Sequence, residues 1–441
     1  MRIALLLSLF LLAIWSCNQE PDGAYKEKAA DAERIHQSIR DITDVIVHDI
    51  FSPPVASRIY AYTSIAAYEA LAPGYPDYQS LGGQLNDLEP VPQPEAGKSY
   101  CYPLASVVAT LAVGKALIFS EEKIDEKYEK RLAEFKKLGV PREEFDRSVA
   151  YGEVVAKHIL DWAGKDNYKQ TRTFPKYTIT GQEDKWEPTP PDYMDALEPH
   201  WNKIRTFAID SAQQFRQAPP TPYSTDKNSQ FMKETMEVYN AFRTDTAERT
   251  AIAKFWDCNP YVSHHAGHVM FATKKITPGG HWLNIVAIAC RKADADIMTS
   301  AGAYALTAIA IADGFIGCWD EKYRSQTVRP ETVINKFIDE EWRPLLQTPP
   351  FPEYISGHST VSRAAATVMT SIFGDNFSFT DDTEEPFGMP ARSFTSFYQA
   401  SDEASISRMY GGIHYTPGLN NGIKLGGEVG QWVLDNVKTK K

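Results

Sequence analysis

Cysteine is scarce in this chain of 441 residues, which contains five, and no two of them stand in a CxxC pattern. This spacing argues against a disulfide framework. Apart from Cys17 near the N-terminus, the cysteines are Cys101, Cys258, Cys290 and Cys318. Because Cys290 and Cys318 lie in apolar helical patterns, we expect both to be buried free thiols.

An excess of positive charge is also absent. Lys and Arg number 46 and Asp and Glu 57, so the formal net charge is −11, which argues against a nucleic-acid partner. A small basic pocket remains compatible with this balance. The 43% of hydrophobic and 12% of aromatic residues are enough to bury a large core.

Beyond the N-terminus, the chain has no uninterrupted apolar run of about 18 residues, the length that a membrane-spanning helix needs. The nearest such run covers residues 305–318, and Asp313 interrupts it. We therefore expect the mature chain to be soluble rather than an integral membrane protein. Asp313 is assigned to a polar contact between helices, without a catalytic role.

The N-terminus has the pattern of an export signal. Arg2 precedes an apolar run over 3–14, and the run closes on Ser16-Cys17, which resembles a bacterial lipobox. We predict a signal peptide over 1–17 with lipid attachment at Cys17, and then a polar tether over 18–28. Cleavage without lipidation stays open, because Trp15 is bulky for its position. The expected location is the periplasm, the outer membrane or the cell surface, with the lipid anchor as the membrane contact.

Hydrophobic periodicity is helical nearly throughout, and no segment shows convincing strand alternation. The expected fold class is therefore all-α, with helices packed in bundles. We divide the chain into a helical N-terminal region over 29–225 and a helical C-terminal region over 226–441. The first includes a Pro- and aromatic-rich excursion over 166–224, and long loops of this kind often contact substrate. The predicted helices span 29–51, 56–71, 104–119, 121–138, 141–164, 229–243, 246–256, 281–319, 358–373, 395–410 and 420–437.

Two motifs in the C-terminal region are suited to bind an anion. Lys322 and Arg329 are seven residues apart, so two long cations can converge on one oxyanion, which the planar guanidinium binds well. Ser356-Gly357-His358 begins a predicted helix, where free backbone N–H groups and the helix dipole attract anions. Taken singly, each motif also has a purely structural interpretation, as two surface cations or as a helix cap.

The third motif runs from Arg408 to His414. Six residues on an ideal helix would point these two side chains in different directions. Gly411-Gly412 ends the helix between them, so His414 can fold back towards Arg408. Alone, this pattern also describes an ordinary helix end followed by a turn.

Together the motifs read Lys-x6-Arg-Pro, Ser-Gly-His and Ser-Arg-x5-His. This order resembles the superfamily that joins type 2 phosphatidic acid phosphatases with vanadium-dependent haloperoxidases. The resemblance implies that 226–441 is a catalytic domain that binds phosphate or its near-isostere vanadate, with Lys322, His358 and His414 as catalytic residues. His414 would be the ligand to vanadium or the nucleophile on phosphorus, and His358 the general acid or base. The implied anion-binding residues are Lys322, Arg329, Ser356, Gly357, His358, Arg408 and His414.

Within that superfamily, the segment 348–354 looks like the one before Ser-Gly-His in vanadium chloroperoxidases. Trp319 and Phe351 match aromatic positions that line the halide pocket there, although ordinary core packing would also explain them. Asp257 lies in a segment that resembles one supplying a carboxylate partner to the third-motif arginine. We therefore predict Asp257 as a partner of Arg408.

Two positions depart from the family pattern. Gly418 stands where an Asp usually orients the histidine, and Ile355 stands where a Pro usually precedes Ser-Gly-His. The first departure leaves the orientation of His414 open, unless Asn420, Asn421 or a backbone carbonyl substitutes.

Three functions follow, in order of preference. The first is a vanadate-dependent haloperoxidase that oxidises halide with hydrogen peroxide. The second is a soluble periplasmic acid phosphatase that hydrolyses phosphomonoesters through a phospho-His intermediate. The third is a non-catalytic anion-binding surface lipoprotein. The sequence leaves the halide or ester and the oligomeric state open.

A separate group of histidines consists of His264, His265, His268 and His281. His264 and His268 are four residues apart and could chelate a transition metal if that segment were helical. Pocket lining and ordinary packing are the competing interpretations, since only Asp257 and Cys258 stand nearby as further ligands.

Overall fold

The computed structural model of the protein describes residues 23–241, 246–266 and 268–441. The predicted signal peptide, Cys17 and the first part of the predicted tether lie outside the described residues. The tether prediction is wrong for its last part, because Ala24–Ala29 is helical. Tyr25 is buried there, and its hydroxyl donates a 2.6 Å hydrogen bond to Glu144 Oε1.

The described residues are mostly helical, which confirms the all-α prediction in its main point. Prolines or capping side chains start many of the helices, as at Pro53, Pro278 and Asp296. The helices are α1 (Ala24–Ala29), α2 (Glu33–Asp49), α3 (Pro53–Leu71), α4 (Tyr102–Leu117), α5 (Glu121–Lys137), α6 (Arg142–Ala163), α7 (Tyr168–Thr171), α8 (Gln230–Asn240), α9 (Thr246–Phe255), α10 (Pro278–Lys292), α11 (Ile297–Ser325), α12 (Pro330–Phe337), α13 (Gly357–Phe373), α14 (Phe397–Tyr410) and α15 (Thr416–Asn436).

Strands were not expected, yet two short antiparallel hairpins are present. One pairs β1 (Tyr261–Ala266) with β2 (Val269–Lys274), and the other pairs β3 (Phe379–Asp381) with β4 (Arg392–Phe394). The second hairpin has three residues in each strand, too few for alternation to stand out in the sequence.

The predicted helix over 281–319 is also corrected, because it is two helices. α10 ends at Lys292, and α11 begins at Ile297 after Asp296 has accepted a 2.6 Å hydrogen bond from the Thr299 N–H. α11 is long and apolar enough to cross a membrane, but its most apolar window is entirely buried inside the protein. It is thus the central helix of the core.

One hydrophobic cluster joins residues from both halves of the chain, from Tyr25 to Val437. α3 and α4 of the N-terminal region pack into the same core as α11 and α13. The division at 225/226 stays a prediction, and the shared core shows that the two regions pack against each other.

Asp313 on α11 has a different role from the helix–helix contact that we expected. Its carboxylate accepts hydrogen bonds from the N–H groups of Phe207, Ala208 and Ile209 at 2.7, 2.7 and 3.0 Å. Burial raises its pKa to about 6. This buried carboxylate therefore fixes the excursion over 166–224 to the central helix.

α15 lies close against α13 because glycines face it at every fourth position. A Cβ on Gly422 would lie 2.8 Å from the Ser356 carbonyl oxygen, and one on Gly430 would lie 2.8 Å from the Ala364 carbonyl oxygen. A Cβ on Gly426 would overlap the Thr360 carbonyl. This close packing sets the position of the first turn of α13, where Ser-Gly-His lies.

We expect Gly426→Ala to destabilise the protein by about 1–3 kcal/mol, because the added methyl must push α13 away. The matched control is Gly427→Ala, whose Cβ would meet the Arg363 Cγ at an ordinary 3.7 Å. That change should be neutral or stabilise by up to about 1 kcal/mol, because alanine is the better helix former. Urea unfolding of both variants measures the difference, and equal effects would contradict the packing argument.

Candidate active site

Breaks between helices bring the three motifs together. α11 carries Lys322 in its last turn and ends at Ser325, and the C-cap residue Gln326 has a φ of 55°. Arg329 is the N-cap residue of α12, directly before Pro330. Arg408 lies in the last turn of α14, and His414 lies in the short connection to α15. The predicted position of His414 beyond the helix end is therefore confirmed.

Lys322 is completely buried, and backbone carbonyls hold it. Its Nζ donates hydrogen bonds of 2.9 Å to the carbonyls of Pro352 and Glu353. The ammonium also lies 5.0 Å from the Phe351 ring centroid. Burial, with repulsion from Arg329, lowers the pKa of Lys322 to about 7. An anion beside it would favour its charged form.

The two arginines of the motifs are also buried and have unused donors. Arg329 donates from Nε to the Phe351 carbonyl at 2.9 Å and from Nη1 to the Ile413 carbonyl at 2.8 Å. Arg408 donates from Nη1 to the Trp256 carbonyl at 2.7 Å. Arg329 Nη2 and Arg408 Nε are buried and have no hydrogen-bond partner. Burial lowers the pKa of both groups.

Glu353, which was not among the site residues predicted from the sequence, orients His414. His414 Nδ1 lies 2.7 Å from Glu353 Oε1, and the same oxygen accepts the Tyr415 N–H at 3.2 Å. Because this oxygen accepts hydrogen bonds from both groups, the ring proton of His414 lies on Nδ1. Nε2 of His414 then carries a lone pair, 3.2 Å from Arg329 Nη1. Burial and the neighbouring Arg329 hold the pKa of His414 well below its usual range, so the ring is neutral.

The same carboxylate explains why glycine, rather than the Asp of the family pattern, stands at position 418. A Cβ at this position would overlap Glu353 Oε1. The Gly418 carbonyl also accepts the Ser356 N–H at 2.9 Å, which ties the start of α15 to the start of α13. The carboxylate expected after His414 is therefore supplied from before Ser-Gly-His, and glycine leaves room for it. None of the substitutes that we considered, Asn420, Asn421 or a carbonyl, orients the Nδ1 of His414.

Ser356 caps α13, because its Oγ accepts the Ser359 N–H at 3.2 Å. A Cβ on Gly357 would lie 3.4 Å from the Trp319 ring, so glycine lets that aromatic side chain approach. Ile355, where the family pattern has Pro, is buried in the core.

His358 follows on α13, and its ring hydrogen-bonds the backbone of Trp256. Its Nε2 is buried without a partner. Burial and Arg408 hold the pKa of His358 well below its usual range. The neutral ring therefore has an unpaired nitrogen beside the anion-binding groups.

A cavity of ≈ 190 Å³ opens onto this cluster. Its lining includes Gly357, His358, Arg408 and His414, so residues of two motifs meet there. Apolar side chains complete the lining. They include Trp319 and Phe351, the two aromatic residues predicted for the pocket, together with Phe315, Met194 and Leu197. Met194 and Leu197 belong to the 166–224 excursion, so this loop reaches the cavity as expected.

Asp257 does not form the predicted pair with Arg408. Its Oδ2 lies 2.9 Å from Lys275 Nζ, whereas Arg408 donates to the carbonyl of Trp256. The sequence segment was therefore relevant, but its backbone rather than its carboxylate holds the arginine. The negative charge of Asp257 still raises the pKa of Arg408, against the larger effect of burial.

The proposed His264–His268 chelate on a helix is also wrong, because His264 lies in strand β1. It is exposed, and its Nε2 lies 3.0 Å from Thr273 Oγ1. His265 is in the same strand, and His268 lies in the turn that follows. His281 lies apart from them, buried on α10.

The site fits a bound oxyanion. Three buried cations converge on His414, and the pKa of that ring responds to all three. Arg329 Nη2, Arg408 Nε and His358 Nε2 are buried polar atoms without partners, and such groups are rarely left unpaired. A tetrahedral or trigonal-bipyramidal oxyanion would pair the two guanidinium donors. Phosphate and vanadate both meet this description.

The fold and the site together define a helical enzyme of the class that binds phosphate or vanadate at a buried histidine. A family model described as the VCPO second helical-bundle domain matches residues 303–440. The structure described as the first bacterial vanadium-dependent iodoperoxidase is 51% identical, with a TM-score of 0.88, and the match covers 93% of this chain and 97% of that chain. This chain belongs to the vanadium-dependent haloperoxidase family.

Two further structures share the fold at lower identity. They are the holo and apo forms of a bacterial vanadium-dependent chloroperoxidase, at 16% and 18% identity and TM-scores of 0.65 and 0.67. Each match covers 88% of this chain and 94% of that chain. A comparison with curated proteins finds no match.

We expect Glu353→Ala to weaken vanadate binding about 10–100-fold, because a supporting carboxylate typically contributes that much through the histidine it orients. Glu353→Gln keeps an acceptor oxygen and should fall between that variant and the wild type. Adding Gly418→Asp to Glu353→Ala should restore part of the affinity, because the new carboxylate takes up the vacated space. Glu385→Gln, an exposed position, is the control.

Equilibrium dialysis of orthovanadate against each variant gives the dissociation constants. Unchanged affinity in Glu353→Ala would show that His414 is oriented in some other way.

Proposed function

We propose that this protein is a vanadate-dependent haloperoxidase, which oxidises a halide with hydrogen peroxide. One observation carries the proposal: Arg329 and Arg408 keep buried, unpartnered donors, Arg329 Nη1 lies 3.2 Å from His414 Nε2, and Arg408 and His414 line the same cavity. Such an arrangement holds an oxyanion and offers it a lone pair. The 51% identity to an iodoperoxidase supports the same conclusion.

The residues that would hold vanadate are those that the sequence motifs indicated. Lys322, Arg329 and Arg408 supply positive charge, Ser356 and the Gly357 N–H supply neutral donors, and His414 Nε2 is the ligand. Bound vanadate would supply a Lewis-acid centre that activates hydrogen peroxide. The buried cations stabilise negative charge without having to reorganise.

His358 is suited to accept a proton from hydrogen peroxide. The His358 ring is hydrogen-bonded to the Trp256 backbone, the ring is neutral, and its Nε2 has no hydrogen-bond partner. Lys322, held by two carbonyls, keeps its positive charge when an anion lies beside it. The proton acceptor His358 lines the cavity, and the fixed cation of Lys322 lies 5.0 Å from the ring centroid of Phe351, which also lines it.

We infer that iodide is the preferred halide. The cavity of ≈ 190 Å³ admits a halide ion and hydrogen peroxide, and Trp319 and Phe351 give it a polarisable wall. The relative at 51% identity is an iodoperoxidase.

After loading with orthovanadate and desalting, the wild type should oxidise iodide to triiodide with hydrogen peroxide, faster than it oxidises bromide. His414→Ala should lower the rate at least about 10²–10³-fold, because the ligand and its positive surroundings act together. The control is His158→Ala on α6, whose ring contacts the Glu89 carbonyl far from the motifs.

A parallel assay without vanadate measures hydrolysis of p-nitrophenyl phosphate. Turnover of this ester that depends on His414, together with background iodide oxidation, would favour the acid phosphatase instead. Lack of both activities in loaded, folded protein would favour a non-catalytic anion-binding lipoprotein.

We also propose that the protein is exported and anchored through a lipid on Cys17. The support is the sequence pattern alone: Arg2, the apolar run over 3–14 and the Ser16-Cys17 junction.

Expressed in a Gram-negative bacterium, the wild type should incorporate labelled palmitate and sediment with membranes. Cys17→Ser should lose the label and move to the soluble fraction, because acylation requires the thiol. Retention of the label in this variant would overturn the lipid assignment, and an uncleaved cytoplasmic product of the wild type would overturn export.

A further inference from the structure

A second cluster of potential ligands lies behind the anion site. Cys258 Sγ lies 3.4 Å from His281 Nδ1, and the same nitrogen lies 3.2 Å from Glu384 Oε1. The sulfur and the carboxylate oxygen are 4.0 Å apart. All three side chains are buried, and they come from distant parts of the chain: the loop after α9, helix α10 and the loop after β3.

Two further observations point to a missing cation. His281 Nε2 lies 2.7 Å from Asp381 Oδ2, so Nε2–H can donate a hydrogen bond to this carboxylate, which leaves the lone pair of the neutral ring on Nδ1. Metal-bound histidines are commonly oriented in this way. Glu384 Oε2 is buried and has no hydrogen-bond partner. Lone pairs of nitrogen, sulfur and oxygen therefore converge on one point.

We propose that Cys258, His281 and Glu384 bind a divalent zinc ion. Tetrahedral zinc with ordinary bond lengths would separate its sulfur and nitrogen ligands by about 3.6 Å, nitrogen and oxygen by about 3.4 Å, and sulfur and oxygen by about 3.6 Å. The corresponding distances in the structure are 3.4, 3.2 and 4.0 Å. Small side-chain shifts would complete the site.

The ligand types favour zinc among common cations. Thiolate and imidazole suit zinc, whereas calcium and magnesium prefer oxygen ligands alone. Glu384 Oε2 offers a fourth donor atom. The thiolate and the Glu384 carboxylate together balance the two positive charges of the ion, which makes burial of the complex tolerable.

Such an ion would fasten the segment that holds Arg408. Trp256, two residues before Cys258, accepts the Arg408 hydrogen bond through its carbonyl. Its ring also stacks on His281, with centroids 4.7 Å apart and planes at 17°. Zinc would thus fix Trp256 between its own ligand set and the anion site, in a structural rather than a catalytic role.

The test is the zinc content of the full-length wild type. Protein expressed in zinc-supplemented medium is passed through gel filtration to remove weakly bound metal. It should retain about one zinc per chain, measured by inductively coupled plasma mass spectrometry. Vanadium is counted in the same measurement, so occupancy of the two sites is distinguished. Cys258→Ala and His281→Asn should each lower the zinc content at least about tenfold.

Cys290→Ala is the matched control, since Cys290 is also a buried free thiol on α10 but has no such ligand set among the described residues. It should keep the zinc. If Cys258→Ala fails to fold, cobalt loading of the wild type gives an independent result: a thiolate-to-cobalt charge-transfer band is expected, and Cys290→Ala should retain it.

Two results would overturn the proposal. One is wild-type protein that retains less than about a tenth of a zinc per chain after exposure to excess zinc, with no rise in melting temperature. In that case the cluster is an imidazolium that bridges Asp381 and Glu384. The other is zinc that remains bound in folded Cys258→Ala at the wild-type ratio.

Discussion

Three cationic side chains of the anion site lie in the interior of this protein, and no carboxylate among the described residues forms a salt bridge with them. Lys322, Arg329 and Arg408 are held by backbone carbonyls, which orient a cation without cancelling its charge. An uncompensated buried charge is costly. The cost falls when an anion enters, so the positive cavity is both a strain on the fold and the source of its affinity.

The geometry of that cavity depends on close contact between α13 and α15. Glycines on α15 let its backbone approach the Ser356 carbonyl, and the Gly418 carbonyl accepts the Ser356 N–H. Gly418 also leaves space for the Glu353 carboxylate that orients His414. Helix packing and histidine orientation are therefore parts of the same arrangement, since both need small residues along one edge of α15.

Much of this site could be predicted from the sequence, because the three motifs are local and their order is specific. The all-α fold followed from periodicity. Glu353 could not be found in this way, since its contact with His414 spans 61 residues and depends on how two helices meet. Asp257 was a wrong prediction for a related reason: spacing locates a segment but does not show whether its carbonyl or its carboxylate faces the arginine. The β3–β4 hairpin was not predicted because three residues in each strand give no periodic signal.

Three buried carboxylates in this part of the protein have other partners. Glu353 accepts from His414, Asp257 pairs with Lys275, and Glu384 faces His281. If any of them turned towards an arginine, it would neutralise the cavity and compete with the incoming oxyanion. The residues that engage these carboxylates thus preserve the positive charge of the cavity. On this argument, replacement of a partner such as Lys275 would weaken anion binding without touching the anion, because Asp257 would then be free to approach Arg408.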